Sequence, residues 1–179
     1  MGEGEVISAS TRYLTPTEGG GDVWSAEAAS AGRRGTQKIV SAGEAAAPER
    51  VADLLAVERS GPVVVRRRIM YLDGEPCELT DTYYPVEIAR GTGLAATAKI
   101  PGGAVRLLAE LGHIGVRAQE DVAARMPSES ERASLLLKAD EPVLELTRLT
   151  QDADGRPVQV DVMVMPPRGQ TLRYEIRIG

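Results

Sequence analysis

Two runs of β-forming residues, Pro62 to Leu72 and Pro76 to Tyr84, are separated by little more than Asp73-Gly74. Asp-Gly is the dipeptide of tight hairpins, because the turn needs positive φ and Gly adopts it freely. A chain that folds back there pairs the two runs antiparallel. The C-terminal third repeats the device. Val143 to Thr150 reads as a strand, Asp154-Gly155 as a turn, and Val158, Val160, Val162 and Val164 alternate cleanly beyond it. Strict alternation is the period of a half-buried strand.

Helical patterns fall between these runs. Pro48 to Leu55 carries Pro in its first turn with Val51, Leu54 and Leu55 on one side. Pro101-Gly102-Gly103 opens a helix to about Leu111, with Gly112 as its stop. Ser128-x-x-Glu131 matches a capping box, predicting a helix from there to about Leu137. A short helix is expected after Pro85 and another near Ser25. Lys38 to Val40 reads as a short strand. Val116 to Met126 alternates, with Glu120 interrupting its apolar face, and Leu172 to Ile178 is expected to close the chain as a last strand of a three-strand meander. The expectation is an α+β fold: a mostly antiparallel sheet with flanking helices.

The chain has 179 residues, which suits one domain, or one domain plus a tail. Residues 1–35, with Gly19, Gly20 and Gly21 in a row, read as an arm or linker; residues 36–179 read as the domain. Apolar residues make up 42%, but aromatic ones only 3% and Phe is absent, so the core must be Val, Leu, Ile, Ala and Met. So few rings leave no platform for stacking bases. A net charge of −5 argues against nucleic-acid binding by this chain alone. No apolar run approaches the ~20 residues of a bilayer span. The start, MGEGEVISAS, has no basic-then-apolar leader, so a cytoplasmic protein with no membrane partner is expected.

Candidate chemistry is sparse. Cys77 is the single cysteine and His113 the single histidine, which removes internal disulfides, Cys-rich zinc sites and most histidine-based constellations. Cys77 reads as a buried, inert thiol and His113 as a helix-exit residue. No catalytic residue, metal site or cofactor is assigned. The unusual feature is Arg66-Arg67-Arg68 inside an apolar strand. Alternation places Arg66 and Arg68 on one face, either exposed on an edge strand or lining a pocket for a carboxylate or phosphate. On the strand from Val158 to Met165, the odd face is Gln159, Asp161, Met163 and Met165, a mixed lining suited to a small ligand or, alternatively, to solvent. Gly102 and Gly103 could offer backbone N–H groups to an anion. Trp24 anchors the arm or lids a pocket.

The stretches RRRIMYLDGEPCELTDTYYP, IPGGAVRLLAELG, VAARMPSESERASLLL and PVLELTRLTQDADGRPVQV, in this order, resemble the UTRA domain. That is the effector-binding half of HutC-subfamily GntR transcription regulators, here closest to the actinobacterial members. The resemblance covers roughly residues 36–179 and implies a chorismate lyase-like fold. It implies a small-molecule effector bound on the sheet, a homodimer, and DNA reached only through a winged helix-turn-helix domain that these residues do not contain. Aligned on Pro76, the first of two arginines used by sugar-phosphate sensors falls on Arg68 and the second on Met70. The family's acidic positions fall on Thr80 and Gln159, an aromatic on Met165, and a Ser on the Pro101-Gly102-Gly103 segment. A neutral or weakly acidic, more apolar effector therefore fits. A lyase-type enzyme using Glu78 and Arg68, or a ligand-free dimerisation domain, are the other readings.

Register decides which neighbours accompany each arginine. A two-residue Asp73-Gly74 turn sets Arg66 opposite Asp81 and Arg68 opposite Leu79. A three-residue loop through Glu75 sets Arg68 opposite Thr80 and Arg66 opposite Thr82. The resemblance favours the longer loop. Arg68 is then the clamp, Thr80, Thr82, Gln159 and Asp161 give polar contacts, and Met70, Met163 and Met165 form an apolar wall.

Overall fold

A computed structural model describes residues 6–8, 11–14, 23–168, 170–175 and 178. The Gly19-Gly20-Gly21 run read as a linker lies outside the described residues. In chain order the elements are β1 (Val6–Ser8), α1 (Thr11–Leu14), α2 (Val23–Ser30), β2 (Gly35–Ala46), α3 (Glu49–Leu55), β3 (Pro62–Leu72), β4 (Glu75–Pro85) and α4 (Val86–Ala89). After a 3-10 turn at Gly93–Ala95 follow α5 (Gly103–Glu110), β5 (Arg117–Arg125), α6 (Glu129–Ser134), β6 (Val143–Gln151), β7 (Pro157–Met165) and β8 (Gln170–Leu172). Six strands form one sheet in the order β2-β3-β4-β7-β6-β5, with every neighbour antiparallel. The fold is the α+β arrangement that the turn signals imply.

The first hairpin combines the two expected registers. The turn is the two-residue one: Leu72 pairs with Glu75, Asp73 sits at φ 54° and Gly74 at φ 91°. Asp73 tolerates the left-handed region because its carboxylate accepts the Arg34 N–H at 2.8 Å and the Arg33 Nε–H at 2.7 Å. The three-residue loop does not form. Instead the register shifts between Met70 and Tyr71, leaving Cys77 as an extra residue, and from there Arg68 pairs with Thr80 and Arg66 with Thr82. A bulge performs the shift that the longer loop was expected to supply.

Three other expectations change. The strand at Lys38 to Val40 extends over 12 residues, Gly35–Ala46, because backbone pairing with β3 carries a Gly- and Ala-rich stretch of weak intrinsic preference. The closing strand is not part of the meander: it lies at Gln170–Leu172 and pairs parallel with β1, apart from the main sheet. Arg173 to Glu175 are not strand, and Ile176 and Arg177 lie outside the described residues. The helix after Ser128 has its capping box, but it ends at Ser134.

The two faces of the sheet have different fates. On one face α3 packs Val51, Ala52 and Leu55 against Val63, Val65, Tyr83 and Val160. Glu49 suits the first turn of α3, and Ala56 closes it in the left-handed conformation at φ 54°. The opposite face carries Arg66, Arg68 and Met70 on β3 and is roofed from three sides. α2 arrives along β2, where Gly35 is required: a Cβ there would lie 2.8 Å from the Ala28 Cβ and 2.9 Å from Trp24 Nε1. Trp24 Nε1–H donates to the Tyr71 carbonyl at 3.1 Å and Ser25 Oγ–H to the Gly35 carbonyl at 3.0 Å. The segment before α5 forms a second side, and Leu172 a third. Between roof and sheet is a cavity.

Candidate functional site

The cavity has a volume of about 700 Å³, within the range of small-molecule sites. Its floor follows from strand register. One row across the sheet runs Glu120, Arg148, Asp161, Thr82 and Arg66; the next runs Val122, Leu146, Met163, Thr80 and Arg68. A polar row thus lies beside an apolar one, and both alternate with residues on the α3 face.

All twelve residues singled out from the sequence line this cavity: Trp24, Arg66, Arg68, Met70, Thr80, Thr82, Gly102, Gly103, Gln159, Asp161, Met163 and Met165. Solvent exposure, the other account of Gln159 and Asp161, fails: they are 8% and 4% exposed. Arg66 is buried too, on an inner strand, so the edge-strand account of the arginine run fails as well. Sequence reasoning missed Arg148, which reaches the same floor from β6. A signal was present in two places. Arg148 interrupts an apolar strand as Arg66 does, and Glu120 interrupts β5; the two interruptions are register partners, joined at 2.5 Å.

Most polar groups of the floor are matched internally. Arg148 pairs with Glu120 and lies 4.0 Å from Asp161. Asp161 accepts from Thr82 Oγ1 and from Gln159 Nε2, each at 2.7 Å. Arg66 donates to the Gly93 carbonyl at 3.0 Å, to Leu94 at 3.4 Å, to Ala98 at 3.3 Å and to Ala96. It therefore holds the 93–98 segment down as part of the roof. Burial lowers its pKa, and the neighbouring Arg68 charge adds to that.

Arg68 differs. It donates to Thr82 Oγ1 at 3.2 Å and to Gln37 Oε1 at 3.5 Å, while its buried Nε–H has no acceptor. Among the described residues no carboxylate pairs with it. An unmatched buried donor on a charged group is costly unless something supplies the acceptor. Glu78 also faces the cavity and accepts from Thr80 Oγ1. Burial raises its pKa, against the lowering pull of Thr80, Arg68 and Arg148. Cys77, on the bulge beside it, is buried and donates to the Met70 carbonyl at 3.4 Å; burial pushes its thiol up to about 12. No group of three or more His, Cys, Asp or Glu that could hold a metal occurs among the described residues.

A roofed cavity on one face of an antiparallel sheet, with a mixed polar and apolar floor and a floor arginine that no carboxylate pairs with among the described residues, has the form of a small-molecule site. The UTRA domain pattern matches residues 30–168, and the chain belongs to that family. An uncharacterised HTH-type transcriptional regulator of Streptomyces coelicolor is 28% identical over 131 residues, taking in 72% of this chain and 49% of the relative. The chain thus spans about half the length of the curated relative it matches. Among solved structures, PhnF from Mycobacterium smegmatis superposes with a TM-score of 0.77 at 18% identity, covering 98% of this chain and 73% of PhnF. The C-terminal domain of the histidine utilization repressor from Pseudomonas syringae superposes with a TM-score of 0.63 at 22% identity, covering 82% of this chain and 99% of that domain. These likenesses are of fold. No helix among the described residues is long and apolar enough to cross a membrane.

Proposed function

We propose that this chain is the effector-sensing domain of a bacterial transcription regulator of the GntR type, HutC subfamily. The cavity takes a small metabolite, and its occupancy sets how a winged helix-turn-helix domain outside these residues holds an operator. The observation that carries this reading is Arg68: a guanidinium on a cavity floor with a buried, unmatched N–H and no carboxylate partner among the described residues. A weakly acidic effector supplies the counter-charge. Thr80, Thr82, Gln159 and Asp161 order the polar side, Met70, Met163 and Met165 shape the apolar side, Gly102 and Gly103 border the roof, where the Gly103 N–H is not free for an anion because it donates to the Ile100 carbonyl at 3.0 Å, and Trp24 closes the arm side. In this reading residues 1–35 are the arm leading to the reader domain and residues 36–179 the sensor, acting by binding rather than turnover in the cytoplasm.

The same reading makes the protein a homodimer. β5 is an edge strand; Val122 on it is 46% exposed, and Val116 and Met126, which flank its two ends, are 63% and 53% exposed. An exposed apolar edge is a pairing surface, and a two-fold protein suits a two-fold operator.

A thermal-shift screen of small organic acids tests the proposal. A specific effector at a hundredfold excess over its Kd adds about 2.7 kcal/mol of stability. A hit whose shift survives Arg68→Ala contradicts the assignment; a hit consumed by the protein favours the lyase reading.

A further inference from the structure

Glu78 is the one cavity carboxylate that the reading above does not use. Asp161 is filled by Thr82, Gln159 and the nearby Arg148. Glu120 is taken by Arg148. Glu78 lines the cavity, sits opposite Met70 across the hairpin, and has Thr80 as its single hydrogen-bond partner among the described residues. No Lys, Arg or His pairs with it there. Burying a carboxyl in such surroundings opposes its ionisation, and the Arg68 and Arg148 charges, neither within ion-pair distance of it, offset this only in part.

Its position relative to Arg68 is set by β4. Thr82, which binds the Arg68 guanidinium, and Thr80, which binds the Glu78 carboxyl, share one face two residues apart. At the rise of a strand these two threonine anchors are about 7 Å apart along β4, so a straight chain of roughly five carbons spans from one anchor to the other. Met163 is the register partner of Thr80 and Met70 that of Glu78, so the space beside the two polar groups is lined by thioethers. A guanidinium with a free N–H and a carboxyl held by one hydroxyl thus face the same cavity, with Met70 and Met163 flanking them on the neighbouring strands.

Resting on the effector-sensing reading, we propose that the effector is a bipolar small acid. Its anionic group binds Arg68, and an amine or hydroxyl about five carbons away donates to Glu78. Glu78 is then a specificity residue: it disfavours simple fatty acids, which would desolvate its carboxyl and leave it with the Thr80 hydroxyl as its one donor.

The test uses three probes of one length, pentanoate, 5-hydroxypentanoate and 5-aminopentanoate. Binding is followed by thermal shift and by the fluorescence of Trp24, the single tryptophan, which borders the cavity. The expected result is at least a tenfold tighter Kd for the hydroxy or amino acid than for pentanoate. In Glu78→Met that preference collapses while pentanoate binds at least as well as to the parent protein. The hydroxy probe against the amino probe then distinguishes an alcohol from a cation at Glu78. Equal affinity of all three, a preference unaltered in Glu78→Met, or no binding of any probe at millimolar concentration overturns the proposal. Arg68→Ala separates this from the parent reading. If pentanoate binds the parent protein and Arg68→Ala abolishes that binding, Arg68 stands as the clamp even where the Glu78 preference fails. If binding is indifferent to Arg68, the clamp fails first.

Discussion

Arg68 is the arginine of the cavity floor that no carboxylate pairs with among the described residues, while Arg66 and Arg148 are committed to the roof carbonyls and to Glu120. Truncating Arg68 to Ala is therefore expected to weaken effector binding by about 1.5–3 kcal/mol, the range for a charge-assisted hydrogen bond, with an unchanged far-UV circular dichroism spectrum. Retained affinity would remove Arg68 from the site. Glu78 makes a prediction of opposite character. Its folded-state pKa is raised, chiefly by burial, with Arg68, Arg148 and Thr80 pulling down and Asp161 pushing up. The folded protein thus holds that proton more tightly than the unfolded chain, and stability falls as pH rises through the window above the ordinary carboxylate range. Glu78→Gln should flatten that decline and raise Tm at neutral pH, measured by a melting series across pH. A steeper decline would contradict it. At this scale the sequence was informative where a charge breaks an apolar alternation, as Arg66, Arg68 and Asp161 do. It was uninformative about pairing. Arg148 and Glu120 each look like a lone anomaly until register brings them together across 28 residues of chain.

Elements carry the next set of consequences. Turns were legible because Asp-Gly dictates local backbone geometry, and the α6 cap because Ser128 and Glu131 satisfy each other within a single turn. The bulge at Cys77 was not legible, since Pro-Cys-Glu-Leu has no local signal for an extra residue and the shift is enforced by pairing along the rest of β3 and β4. The length of β2 was missed for the same reason. Glu131 makes the α6 cap testable by acid. Its pKa is lowered to about 2, first by the Arg125 guanidinium and then by the Ser128 N–H. A depressed carboxylate contributes stability that is present above the ordinary carboxylate range and lost as pH falls through about 2. Glu131→Gln should remove that part of the acid unfolding curve. An identical acid branch in the variant would contradict the pairing. Gly35 makes the docking of α2 testable. A methyl group there collides with Ala28 and Trp24, so Gly35→Ala should lower Tm and shift Trp24 emission to the red as the indole loses its buried place. Unchanged emission would mean that α2 does not depend on this contact.

For the whole molecule, charge and topology set expectations about partners. At a net charge of −5 these residues carry no overall cationic excess to displace counterions from DNA. Tight, salt-sensitive binding of this chain to an operator in a gel-shift assay would contradict the division between sensor and reader. The dimer reading places an apolar edge at β5. Light scattering at tens of micromolar should give twice the chain mass, and Val122→Lys should return it to the mass of one chain. A monomer before substitution would remove the edge from the account. The central claim is that one face of the sheet, between α2 and α5, is the effector site. The five methionines make this directly observable, because Met70, Met163 and Met165 line the cavity while Met126 is exposed just past the end of the far edge strand. With methyl-labelled methionine, two-dimensional NMR of the protein titrated with a thermal-shift hit should move the Met70, Met163 and Met165 methyl resonances together and leave Met126 in place. Saturable binding that leaves those three resonances unmoved would place the effector elsewhere and contradict the account.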